Sequence, residues 1–153
     1  MSNTYTQLHI QIVFAVKYRK HQINQLWKTE LYKYISGIIE HQQHKILCIN
    51  GMPDHIHILI GLRPNKALSD LVRDIKRSSS LWINENHKVQ GRFEWQEGFG
   101  AFSYSKSHVP NVIKYIENQE EHHRQQTFLE EYKSFLEKFE VDFDERFIFK
   151  ELE

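Results

Sequence analysis

Apolar residues recur at every second position near the start of the chain, at Leu8, Ile10, Ile12, Phe14 and Val16, with His9 and Gln11 between them. A period of two belongs to a strand with one buried face, so residues 5–16 are predicted as the first strand. The period then changes. Trp27, Leu31, Tyr34, Ile35 and Ile38 fall on one stripe of a helix. Two short apolar runs, residues 45–50 and 55–61, flank Gly51-Met52-Pro53-Asp54 and read as a β-hairpin, with Asn50-Gly51 as its turn signal. Between residues 65 and 85, Leu68, Leu71, Val72, Ile75, Trp82 and Ile83 write a second amphipathic helix whose polar side carries Arg73, Lys76 and Arg77. Residues 99–104 are aromatic and predict a further strand. Ser107 and Pro110 then open a third helix expected to run to about His122. A fourth helix is predicted over residues 127–139, with Leu129, Tyr132, Leu136 and Phe139 as its stripe, and Phe147-Ile148-Phe149 suggests a short last strand. The order β-α-β-β-α-β-α-α predicts an α+β, ferredoxin-like fold, an antiparallel sheet with helices mainly on one face.

Composition adds boundaries to this picture. The 153 residues are 40% hydrophobic and 26% charged, with 6 Gly and 3 Pro, which predicts one folded domain over residues 1–153 without a linker. The lone cysteine, Cys48, excludes an internal disulfide and a cysteine-based zinc cage, suits a reducing cytoplasm, and is expected as a small buried hydrophobe. No apolar run approaches the ~18 residues of a membrane span, and the first residues are polar, so a soluble cytoplasmic protein is expected. Net charge is zero, yet residues 1–116 hold 15 Lys+Arg against 8 Asp+Glu while residues 117–153 hold 5 against 12. Either the acidic helix and tail from about residue 124 serve solubility, or the first 116 residues offer a cationic surface to a polyanion.

Candidate chemistry lies in Asp54-His55-Ile56-His57-Ile58-Leu59-Ile60. Strand alternation puts Ile56, Ile58 and Ile60 on one face and both histidines on the other. Two neighbouring imidazoles can share a divalent cation if a third ligand arrives from elsewhere; otherwise they are the polar face of a strand. On the third helix Tyr115 and Gln119 stand at i and i+4, so a phenol and an amide oxygen share one surface. Two histidines and a glutamine oxygen would leave metal positions open for a phosphate oxygen and water, and a tyrosine one turn away could attack that phosphate. The aryl phosphodiester so formed conserves the energy of the broken bond. Rejoining needs no nucleotide cofactor, and the chain has no GxxxxGK[ST] loop. His122 and His123 are read as a solvated helix end. Arg73, Lys76 and Arg77 are read as phosphate contacts or as a solvated face, and Trp95, Phe99, Phe102 and Tyr104 as core or as stacking platforms for unpaired bases.

Five ordered blocks carry a resemblance: His9-Ile10-Gln11-Ile12-Val13-Phe14-Ala15, Pro53-Asp54-His55-Ile56-His57, Ile75-Lys76-Arg77-Ser78-Ser79, Trp95-Gln96-Glu97-Gly98-Phe99-Gly100 and Tyr115-Ile116-Glu117-Asn118-Gln119. Together they resemble the single-tyrosine HUH transposases of the smallest bacterial insertion sequences, where HUH denotes histidine, bulky hydrophobic, histidine. The resemblance implies that His55, His57 and Gln119 bind Mg²⁺ or Mn²⁺ and that Tyr115 forms a 5′-phosphotyrosine on single-stranded DNA. It also implies homodimers that bind DNA hairpins at the element ends, with the tyrosine helix able to serve the partner's histidines. Domesticated relatives that process repetitive palindromes tend to carry Asn-Pro near Asn118-Gln119, so the glutamine favours the mobile-element branch. Other readings of the same pattern are a domesticated palindrome-processing HUH endonuclease with the same chemistry, a replication initiator or relaxase, which usually needs additional domains, and a non-catalytic nucleic-acid-binding module with structural histidines.

Overall fold

The computed structural model describes residues 3–20 and 22–144; the strand predicted at Phe147-Ile148-Phe149 lies outside the described residues. Along the chain run β1 (His9–Ala15), α1 (Lys28–His41), β2 (Lys45–Met52), β3 (His55–Gly61), α2 (Leu68–Glu85), β4 (Gly100–Tyr104), α3 (Val109–Glu117), α4 (Gln119–His122) and α5 (Phe128–Lys138). The four strands form one antiparallel sheet in the order β2-β3-β1-β4. The α+β class follows the sequence pattern.

Strand parity decides the two faces. Ile12 and Phe14 of β1 and Ile56, Ile58 and Ile60 of β3 point to one side, where Leu31, Ile35 and Ile39 of α1 and Leu71, Val72, Ile75 and Ile83 of α2 close the main core. These two long helices are the expected layer. The second face is covered as well, which goes beyond helices mainly on one side: Phe128, Tyr132 and Leu136 of α5 pack on Val13, Ala15 and Phe102, while Val112 and Ile116 of α3 pack on Leu59. Because β3 is central and covered on both sides, every residue from His55 to Ile60 is buried. Histidines on this strand therefore lie inside the protein.

Several local expectations change. Residues 5–8 precede β1 rather than join it, and Tyr5 is exposed. Asn50 and Gly51 belong to β2, and the hairpin turns at Pro53 and Asp54. Gly51 is required there by proximity: a Cβ would meet the His55 carbonyl oxygen at 2.2 Å. The third predicted helix breaks at Asn118 (φ −96°, ψ 27°) into α3 and the single turn α4. Trp95 and Phe102 are core, with Trp95 edge-on to Phe14 and Phe93 at 4.8 Å each, so neither is open for stacking on a base. Cys48 is only half-buried. On α5 the buried stripe is Phe128, Glu131, Tyr132 and Leu136, with Phe128 in the place expected of Leu129 and a carboxylate among the apolar positions.

Candidate active site

The two imidazoles of β3 stand on the face covered by α3, α4 and α5, fully buried, with ring centroids 5.2 Å apart. Each is oriented by its Nδ1. His55 Nδ1 lies 2.7 Å from Asp54 Oδ1, so its proton sits there and the Nε2 lone pair points into the site. Burial lowers the His55 pKa, which keeps that lone pair free despite the Asp54 hydrogen bond. His57 Nδ1 lies 2.9 Å from Gln11 Nε2, and the Tyr104 hydroxyl donates to Gln11 Oε1 at 2.8 Å. That chain leaves a proton on His57 Nε2, directed at Glu131 Oε1 at 3.0 Å. Turning the Gln11 amide over would instead present its oxygen to an Nδ1 proton and free His57 Nε2.

The helix side supplies the rest. Asn50, on β2 opposite His57, donates its side-chain amide to the carbonyl oxygens of Ile116 and Glu117 at 3.0 and 3.2 Å, tying the end of α3 to the sheet where the helix breaks. Gln119 is buried despite the break, with Oε1 3.0 Å from His55 Nε2 and Nε2 donating to Glu131 Oε2 at 3.2 Å. The Tyr115 hydroxyl donates to Glu131 Oε2, and its ring centroid lies 6.1 Å from that of His57. Thus the predicted set His55, His57, Tyr115 and Gln119 converges within one chain. Arg73, Lys76 and Arg77 do not join it, because α2 packs on the opposite face of the sheet.

Glu131 and His123 are the members that sequence reasoning misses. Glu131 is 1% exposed and sits at the centre, with Oε1 also 3.1 Å from His123 Nε2. Burial opposes its charge, but His57, the hydrogen bond from His123 and His55 hold its carboxyl well below the usual carboxylate range. His123 loses to burial and gains more from Glu131, so its pKa is raised. Its ring lies 4.6 Å from that of His55, and His122 stacks on Tyr115 at 4.3 Å. Neither is a solvated helix end: the break at Asn118 turns α4 back over the histidine face. One signal in the sequence pointed to Glu131, a carboxylate three residues after Phe128 and four before Phe135 on the apolar stripe. Burial and the Glu131 charge push the Tyr115 phenol well above its ordinary value, so this arrangement keeps it protonated.

These residues fit a hard divalent cation. The ligand atoms of His55, His57 and Glu131 lie within 4.8 Å of one another, a span suited to ligands about 2.0–2.2 Å from a common centre. The Gln119 amide is fixed by its bond to Glu131, so the Oε1 lone pairs face the His55 Nε2 lone pair at 3.0 Å. Two acceptors at that distance call for a positive charge between them. Beside the site a cleft of about 390 Å³ opens between α3 and α5, lined by Gln11, Tyr104, Asn111, Tyr115, Glu131 and Phe135. On the far side of the sheet a groove of about 600 Å³ is lined by Lys17, Arg73, Lys76, Arg77 and Arg92. Lys76 Nζ there donates to the Gln96 and Gly98 carbonyls at 2.7 and 2.6 Å, and Arg73 pairs with Asp70 at 3.2 Å.

Known proteins resemble this chain in sequence and in fold. The chain is 25% identical over 118 residues to the ISDra2 transposase TnpA of Deinococcus radiodurans, covering 74% of this chain and 84% of that one. It is 25% identical over 124 residues to the transposase of insertion sequence element IS200 from Salmonella typhimurium, covering 78% and 81%. Two solved structures share the fold: a candidate transposase from D. radiodurans R1 (TM-score 0.63, 22% identity, 78% of this chain and 95% of that one) and a REP-associated tyrosine transposase bound to a REP hairpin (TM-score 0.57, 16% identity, 77% and 70%). The match to the family described as transposase, IS200-like, runs over residues 4–119, from before β1 to the glutamine beside His55, and the chain therefore belongs to that family.

Proposed function

We propose that this transposase cleaves and rejoins single-stranded DNA at insertion-sequence ends through Tyr115, with residues 1–153 acting as one domain. The observation that carries this reading is the meeting of the Tyr115 phenol, the Gln119 amide and the two β3 imidazoles around one buried point, from elements 64 residues apart at the His55–Gln119 contact. His55, His57 and Gln119 would hold Mg²⁺ or Mn²⁺, which when bound polarises the scissile phosphate and offsets charge in the transition state. Tyr115 Oη attacks the phosphorus as the bond to the 3′ oxygen breaks, leaving a 5′-phosphotyrosine and a 3′ oxygen that takes a proton from water to become a free hydroxyl. The phenolic proton has an acceptor already in contact, Glu131 Oε2. The cleft beside Tyr115 gives the strand an approach to the phenol.

Arg73 and Arg77 are proposed to hold DNA phosphates along the far groove, with Lys76 fixing its wall. Hairpin-bearing single strands are the proposed substrate, and a homodimer the proposed assembly, with Tyr115 lying beside its own chain's histidines in the arrangement described. Purified protein and labelled element-end oligonucleotide should give a covalent adduct in Mg²⁺ or Mn²⁺. That adduct should be absent in Tyr115→Phe and in chelator, and abolished in His57→Ala while hairpin binding persists. Adduct of wild-type yield in Tyr115→Phe would overturn the assignment.

A further inference from the structure

Glu131 occupies the place where a ligand is needed. Its Oε1 lies 3.0 Å from His57 Nε2 and 3.6 Å from His55 Nε2, and it lies outside the family match that ends at residue 119. Two imidazoles and an amide are all neutral ligands, so a dication held by them alone would leave two uncompensated charges at a point where His55, His57 and Gln119 have no exposed surface. A carboxylate removes one of those charges. Hard cations also prefer carboxylate oxygen to amide oxygen. The other groups bonded to Glu131 are suited to orienting it: Tyr115 and the Gln119 amide occupy Oε2, and His123 donates to Oε1 from the rim. The residue is on a firmly anchored helix, since Thr127 and Glu130 close a reciprocal capping box at the start of α5 and Phe128 stacks on His55 at 4.2 Å.

We infer that Glu131 is itself a ligand of the divalent cation, completing with His55, His57 and Gln119 a site that α5 closes. This rests on the metal-dependent reading above and deepens it. For His57 Nε2 to join the same cation its proton must leave, and the Gln11 amide turned over would accept the Nδ1 proton that replaces it.

Metal binding to the full chain tests the inference without DNA. Calorimetric titration with Mn²⁺ should give one site in the wild type, none in His57→Ala, and in Glu131→Gln an affinity lowered by more than the roughly 10–100-fold that loss of a merely orienting partner costs. At saturating Co²⁺ the visible bands of Glu131→Gln should differ from those of the wild type, because a carboxylate has left the coordination shell; a role confined to positioning leaves the bands in place. Unchanged Co²⁺ bands in Glu131→Gln, whatever its Mn²⁺ affinity, overturn the inference and leave the histidine site standing. Wild-type protein that binds no Mn²⁺ overturns the metal reading itself. Should Glu131→Gln fail to fold by circular dichroism, Glu131→Asp decides: it keeps the charge but withdraws the oxygens, so its Co²⁺ bands should differ from those of the wild type, and unchanged bands overturn the inference.

Discussion

Replacing Gly51 by alanine tests how the hairpin holds the histidine strand. Gly51 pairs with Ile56, between the Asn50–His57 and Met52–His55 pairs. A methyl there would lie 2.2 Å from the His55 carbonyl oxygen and 3.0 Å from Ile56 Cα, about 1.2 Å short of an ordinary contact at the oxygen. Both obstacles are backbone, so no rotamer change relieves them, and β2 must move away from β3. Overpacking of this kind costs about 1–3 kcal/mol, and each weakened ladder bond about 1 kcal/mol more. A loss of about 3 kcal/mol is expected, which for a chain of this size lowers the melting temperature by roughly 6–12 °C. The site should loosen with it, because Asn50, next to Gly51, holds the end of α3. Gly61→Ala in the same hairpin is the control: its Cβ would meet Lys45 Cβ at 3.4 Å, an ordinary van der Waals distance. Urea unfolding of the two variants beside the wild type provides the measurement. Gly51→Ala within about 0.5 kcal/mol of wild type, like a neutral surface change, would refute the reasoning.

Two further outcomes are expected. Gly37 lies in the exposed interior of α1, where an added methyl would meet nothing within 4 Å; Gly37→Ala should stabilise the protein by about 0.5–1 kcal/mol in the same urea titration. Lys76 is pushed down to about 8 by burial, against a small opposing pull from Glu97. Between about pH 8 and its ordinary 10.5 the unfolded chain holds a proton that the folded one has lost, so this group makes stability rise with pH across that window. Lys76→Met should remove that component, and equal pH slopes for variant and wild type from about pH 7.5 to 9.5 would contradict it.

The sequence was most legible where a single period governs an element. Alternation along residues 55–60 placed three isoleucines and two histidines on opposite faces, and the sheet confirms the parity because neighbouring strands on both sides fix it. The wider helix arrangement was less legible. The stripes of α3 and α5 say that each has an apolar side but not which face of the sheet receives it, and these helices bury the histidines that alternation alone would have left half-exposed. Asn50-Gly51 reads as a turn by local preference, yet both residues serve strand contacts, the asparagine to α3 and the glycine by close approach.

What the chain determined by itself was local: which residues alternate and which share a stripe. Only the tertiary structure decided that Glu131, a carboxylate 74 residues beyond His57, lies 3.0 Å from it, and that a break at Asn118 folds His122 and His123 inward. The physical reason is range. Periodicity records how each element divides between core and solvent, whereas the partner of a buried charge is fixed by how separate elements dock, which no local pattern encodes.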